Sequence, residues 1–318
     1  MKHIQISTFS QTHVPQAQEL SALCYAKERL CVPLLPNVES LPSLVTYAES
    51  GRGVAAVEGD KLLGFICWEE PREGFFGRCL GSWTPVHAHG TVVEHRERIY
   101  EHLYVAMAEC LVARRAFSHA VTVYAHDRVS QELFWDLGFG RRCIDAMRMT
   151  EPLPRMLSGD RLDVRLAKPE DDEAIFHLFT GMEQHLSTAP IFMPSYWEIS
   201  PQHFREHIHG TFFQFILALH RGRPISFLRL QDDGENFVSA LPQVKNITGA
   251  YTIPQERGGG VSADLLNWTL GYLHSKGYTH CGVDCESINP NARRFWLKYF
   301  TPYTYSMVRR IDERIVDK

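Results

Sequence analysis

Along the chain, apolar residues recur with the two-residue period of strands and the longer period of helices, and the order of these segments occurs twice. Ile4 to Ile6 reads as a short strand and Ser10 to Cys24 as a helix, before Pro33, Pro36 and Pro42 break the next segment. Gly53 to Val57 and Leu62 to Trp68, either side of the turn Glu58-Gly59-Asp60, make the clearest hairpin of the first half, and a further strand falls within Trp83 to His89. Leu103, Ala106, Met107, Cys110 and Leu111 then form one buried helical stripe, followed by a strand at Val121 to Tyr124 and a helical segment within Asp127 to Phe139.

The second half restarts the series. Asp163 to Leu166 is a strand, and Pro169-Glu170-Asp171-Asp172 opens a helix with acids in its first turn. A hairpin returns as Phe213 to Leu219 with Ile225 to Leu230, the strand Ile247 to Ile253 follows, and Leu265, Trp268, Thr269, Tyr272 and Leu273 mark the next helix. Val283 to Glu286 is again a strand, and Asn289 to Trp296 again a helix start. The two series run in phase, since 265 − 103, 273 − 111 and 289 − 127 all equal 162. Two α/β domains are therefore predicted, residues 1–150 and 162–318, joined by the Pro-, Gly- and polar-rich stretch 151–161.

Composition narrows the function. Lys and Arg total 33 against 37 Asp and Glu, so no general basic field exists to hold nucleic acid. No run of about eighteen apolar residues spans a membrane, and no apolar leader follows Met1. The eight cysteines have no paired C-x-x-C spacing, as expected of a reduced, cytoplasmic protein. The histidine pairs His87-x-His89 and His207-x-His209 lack a third ligand nearby, so no metal site is expected.

One stretch carries chemistry. Ile253-Pro254-Gln255-Glu256-Arg257-Gly258-Gly259-Gly260-Val261-Ser262 reads as a strand end, an arginine and three glycines opening a helix. With no Cβ on three consecutive residues, main-chain N–H groups at a helix N-terminus are open to an anion, and Arg257 adds a fixed positive fork. A phosphate or diphosphate is the natural occupant. No Gly-Lys-Ser/Thr follows, as nucleoside triphosphate binding needs, and the glycines are too close together for the dinucleotide pattern.

Arg257-Gly258-Gly259-Gly260-Val261-Ser262 resembles the acyl-CoA pyrophosphate loop of the GNAT superfamily of N-acyltransferases, where Arg/Gln-x-x-Gly-x-Gly/Ala leads from a strand into a helix. Ser262 replaces the last Gly/Ala, and a second register starts at Gln255. The first register keeps the family's spacing from Pro254. Asp127 to Phe139 is similar to a second signature of the family, with Asp127 for Asn, Ser130 for Ala and Phe134 for Tyr. The resemblance implies tandem GNAT-like domains, each a twisted mixed β-sheet flanked by helices. It further implies acetyl-CoA as acyl donor and an amine as acceptor, here expected to be a small molecule.

Carried onto this chain, the resemblance gives the diphosphate to Arg257, Gly258, Gly259, Gly260, Val261 and Ser262. A main-chain N–H within Tyr251, Thr252 and Ile253 would polarise the thioester carbonyl, while Asn289 and Ala292 would border the pantetheine arm. Trp296 stands where many members have a thiol-protonating tyrosine, and an indole cannot supply a proton at neutral pH. Tyr299, one turn on, is the expected catalytic acid, with Tyr303 and Tyr305 as alternatives, and no general base stands out. Trp296 also motivates an alternative reading, a non-catalytic acyl-CoA sensor or scaffold. In the first copy His95-Arg96-Glu97-Arg98-Ile99-Tyr100 occupy the positions of Arg257 to Ser262, and every glycine is gone. Only the second copy is expected to bind the coenzyme.

Overall fold

The computed structural model describes residues 4–153, 162–194, 204 and 213–316. It divides into two compact units, one of residues 1–145 with 301–318 and one of residues 146–300. Most of the expected connecting stretch, 154–161, and the pair His207 and His209 lie outside the described residues.

In the first unit, β1 (Gln5–Thr8), β2 (Gly53–Glu58) and β3 (Lys61–Cys67) form an antiparallel sheet with β6 (His89–Thr91) at its edge. The pleat sends alternate residues to opposite faces. Val54, Ala56 and Ile66 meet the stripe Ile99, Leu103, Met107 and Leu111 of α3 (Arg96–Ala113) on one side. Ala55, Phe65 and Cys67 meet Ala17 of α1 (Val14–Cys31) and Tyr47 of α2 (Val45–Ser50) on the other. Beyond the short β4 (Arg72–Glu73), the strand β5 (Leu80–Thr84) runs parallel to β7 (Ala116–Tyr124), whose nine residues are all buried. α4 (Arg128–Asp136) and β8 (Gly140–Met149) follow.

Two expectations are corrected here. The single strand expected within Trp83 to His89 is two, interrupted at Pro85, which has no N–H to give a ladder and whose carbonyl instead accepts from Ala88 N–H in a turn. The last strand, Thr301–Arg310, expected in the second domain, belongs to the first unit, because it pairs antiparallel with β7 from Thr304↔Tyr124 to Arg310↔Ser118. The last residues of β8, Ala146–Met149, fall conversely to the second unit.

The second unit holds a mixed sheet. β9 (Asp163–Leu166), β10 (Gln214–His220), β11 (Arg223–Gln231) and β12 (Val244–Thr252) are antiparallel neighbours, and β13 (His280–Glu286) pairs parallel with β12. α5 (Asp172–Ser187) places Ile175, Leu178, Phe179 and Met182 on Phe215, Leu217 and Phe227 of the sheet. α6 (Val261–Ser275) and α7 (Pro290–Tyr299) complete it. Element ends keep the offset read from the sequence, since 275 − 113, 286 − 124 and 290 − 128 each equal 162. Among the described residues no helix is long and apolar enough to cross a membrane, and no group of three potential metal ligands occurs.

Candidate active site

The site begins as a gap in the second unit's sheet. β12 and β13 pair only from Val244↔His280 to Ile247↔Val283, although β12 continues to Thr252 and β13 to Glu286. The parting coincides with a β-bulge, where the register of β12 on β11 shifts between Leu230↔Ile247 and Arg229↔Gly249 and leaves Thr248 unpaired. Arg229 holds that bulge, with its Nη2 donating to the Thr248 carbonyl at 2.7 Å and its Nε to Thr248 Oγ1 at 3.2 Å.

Beyond the bulge, the ladder decides which N–H groups face the gap. Ile253 N–H donates to the Ile225 carbonyl at 3.0 Å, so in an antiparallel pair Tyr251 also faces β11 while Ala250 and Thr252 turn their N–H groups away from it. Of the three expected candidates for polarising a carbonyl, Thr252 alone presents its N–H to the open side. Ile253 is corrected, because its donor is spent within the sheet.

The glycine loop follows. Gly258 and Gly260 have φ of +82° and +88°, a backbone that other residues enter only with strain. A Cβ added to Gly258 would meet nothing within 4 Å, so one face of the loop is open. Gly260 caps α6, and none of the described hydrogen bonds uses the N–H groups of Gly258, Gly259, Gly260, Val261 or Ser262. Arg257 is braced over this loop, its Nε donating to the Thr252 carbonyl at 2.9 Å and its guanidinium 5.3 Å from the centre of the Tyr251 ring. The Tyr251 ring in turn lies against Gly181 of α5, where an added Cβ would come within 2.9 Å of its hydroxyl.

A cavity of about 400 Å³ opens below the loop. Tyr251, Thr252, Arg257, Gly258, Ser262, Asn289 and Ala292, all named from the sequence, line it. Asn289 caps α7 by accepting from Ala292 N–H at 3.2 Å, which fixes both residues at the rim. Gly259, Gly260 and Val261 do not line the cavity and belong to the loop and first helical turn beside it.

Tyr299, the expected acid, does not line the cavity. Phe295 and Trp296 form the wall, and Tyr299 stands about one helical turn, ~5 Å, further along α7. Its ring packs edge-on against Phe295 at 5.2 Å and its carbonyl accepts from Arg148. Tyr303 and Tyr305 lie on the last strand, in the first unit, and do not line the cavity.

The sequence reading missed His185, which lines the cavity from the last turn of α5. Burial and then the Arg257 charge hold its imidazole below the usual 6.5, so it is neutral at pH 7. Gly181 and His185 stand four apart and share a helix face, a spacing that was readable but had no motif attached to it.

Residues 178–300 match the family model described as acetyltransferase (GNAT) family. Over this segment, which is less than half of the chain, it is similar to the GNAT acetyltransferase family. A GCN5-related N-acetyltransferase from Sphaerobacter thermophilus is similar in structure over 98% of this chain and 96% of its own, with 12% identity and a TM-score of 0.59. A tandem GNAT protein from the clavulanic acid biosynthesis pathway aligns over 97% of this chain and 98% of its own, with 11% identity and a TM-score of 0.48. No curated protein sequence matches the chain. The likeness to the Sphaerobacter protein extends the GNAT fold beyond the segment that the family model covers.

In the first unit, the corresponding loop is filled. Arg96, at the position of Gly258, donates from Nη2 to Asp127 Oδ2 at 2.6 Å and from Nε to Ser130 Oγ at 3.3 Å. Tyr100, at the position of Ser262, is wholly buried and its hydroxyl bonds His89 Nδ1 at 2.8 Å. The N-terminus of α3 therefore has side chains where α6 has open backbone.

Proposed function

We propose that the second unit transfers an acetyl group from acetyl-CoA to the amine of a small-molecule acceptor, and that the first unit binds no coenzyme. The observation carrying this reading is the run of N–H groups from Gly258 to Ser262, used by none of the described hydrogen bonds, beside a cavity of about 400 Å³. Arg257 and the helix N-terminus suit a diphosphate. The arm would pass Asn289 and Ala292, and Thr252 N–H would donate to the thioester oxygen as it gains charge. The coenzyme thioester supplies an activated acyl carbon. His185, neutral and inside the cavity, takes the proton that the amine loses as its nitrogen bonds that carbon, and the C–S bond breaks to release the coenzyme as a thiolate, which takes up a proton from water or from the imidazolium. All eight cysteines are free thiols, in keeping with a cytoplasmic location.

Titration calorimetry with CoA tests the reading. One site per chain is expected, and Arg257→Ala should weaken it about tenfold, the effect of one lost charge-assisted hydrogen bond. Two equivalent sites, or none, would refute the proposal. Thiol release from acetyl-CoA across an amine panel then separates transfer from binding alone.

A further inference from the structure

Three hydroxyls join the elements around the cavity. Ser226 Oγ on β11 donates to the Tyr251 carbonyl at 2.8 Å and lies 2.7 Å from Thr252 Oγ1 on β12. Thr252 Oγ1 lies in turn 2.9 Å from Ser262 Oγ in the first turn of α6. Ser226 and Thr252 are buried, and all three residues line the cavity.

The proton directions follow from counting. A hydroxyl has one proton to give. Since Ser226 gives its own to the Tyr251 carbonyl, the Thr252 proton must go to Ser226 and the Ser262 proton to Thr252, so the chain of donors runs inward. Its terminus is the carbonyl of one particular peptide group, the one linking Tyr251 to Thr252. The N–H at the other end of that group is Thr252 N–H, which faces the gap.

A peptide whose carbonyl accepts an additional hydrogen bond is more polarised, and its N–H becomes a stronger donor. Tyr251 already faces the β11 backbone in the ladder, so Ser226 adds a bond to a carbonyl that the sheet alone would leave with fewer. The bond is shielded from water by burial, where such polarisation is strongest.

We infer that Ser226 is a positioning residue for acyl transfer, which acts through the Tyr251–Thr252 peptide to strengthen Thr252 N–H as the hydrogen-bond donor to the thioester carbonyl. This rests on the functional reading given above. Ser226 acts through the peptide group, and its donation to the Tyr251 carbonyl sets the direction of the Thr252 and Ser262 protons.

Isotope-edited infrared spectroscopy of carbonyl-labelled acetyl-CoA reads the bond directly, without an acceptor. In the wild-type complex the thioester band should lie below its free-solution position. In Ser226→Ala that displacement should shrink by about 10–30%, the scale of cooperative strengthening per bond, while the calorimetric Kd for CoA stays within twofold. Ser226→Thr, which keeps a hydroxyl, should restore it. Thr252→Val, which leaves the Ser226 bond to Tyr251 in place, should keep the wild-type displacement. An unchanged band in Ser226→Ala, or an equal loss in Thr252→Val, would overturn the assignment. A wild-type chain that binds no acetyl-CoA overturns the functional reading first, a result that calorimetry separates beforehand.

Discussion

His185 is where residue-scale chemistry has the clearest consequence. Its pKa is depressed below 6.5 by burial and by the positive charge of Arg257, so acidification must reach below 6.5 before the imidazole takes a proton. Acetyl transfer should accordingly be level above about pH 6.5 and fall on the acid side, with the midpoint of the fall below the ordinary histidine value. His185→Gln should lower kcat about 10²-fold, the low end of a general base's contribution, and abolish the acid limb. A pH profile of kcat/KM for both forms checks this; an acid limb that persists in His185→Gln would assign the proton to another group. Arg257→Ala should also move the limb toward higher pH, because one of the two depressing causes is gone.

At the scale of elements, the sequence and the structure agree where a local pattern suffices. The helical stripes, the hairpins and the 162-residue offset were all readable, because periodicity and turn residues act over a few positions. The glycine loop was readable too, since three glycines leave one face of the backbone open whatever lies around it. Tyr299 and His185 were not. Whether a tyrosine one turn along α7 reaches the cavity, or a histidine at the end of α5 enters it, depends on how each helix packs, which no local pattern records. The bulge at Thr248 was equally hidden, because Arg229, which holds it, is on a different strand. The final strand went astray for the same reason: its partner is chosen by register with β7, almost two hundred residues earlier, and not by its own residues.

The N-terminus of α3 shows how one copy closed what the other leaves open. Arg96 and Asp127 form an ion pair at 2.6 Å with side chains 11% and 18% exposed, so removing one partner leaves the other poorly solvated. Arg96→Ala should cost about 3 kcal/mol in stability. Adding Asp127→Asn should recover much of that loss, because asparagine caps the helix without a charge, as Asn289 does at the same position of the second copy. Urea unfolding of the two single variants and the double one measures the coupling; additive losses would mean that the pair is not what holds the loop shut. Neither variant should gain CoA binding, since Tyr100 still fills the place of Ser262.

Across the whole molecule, the two units should respond differently to acid. The first unit buries His89 and His119, and burial pushes both imidazoles down to about 4. Each gives an Nε2–H to a backbone carbonyl, Thr122 for His89 and Ala116 for His119, and takes a tyrosine hydroxyl, Tyr100 or Tyr104, at Nδ1. Both rings are therefore fixed in the neutral form. Unfolded, they would titrate near 6.5, so between pH 6.5 and 4 the unfolded chain binds more protons than the folded one and stability falls with pH. A full shift of this size corresponds to about 3 kcal/mol per histidine. The sign for the second unit is the same at His185, but that histidine is half-exposed and solvent screens its contribution. Hydrogen exchange followed segment by segment should show β6 and β7 losing protection on going from pH 7 to pH 5, after correction for the intrinsic rate, while β11 and β12 change less. His119→Gln should flatten the response of β7. Equal loss of protection in both units would place the acid sensitivity elsewhere than in the buried histidines of the closed copy.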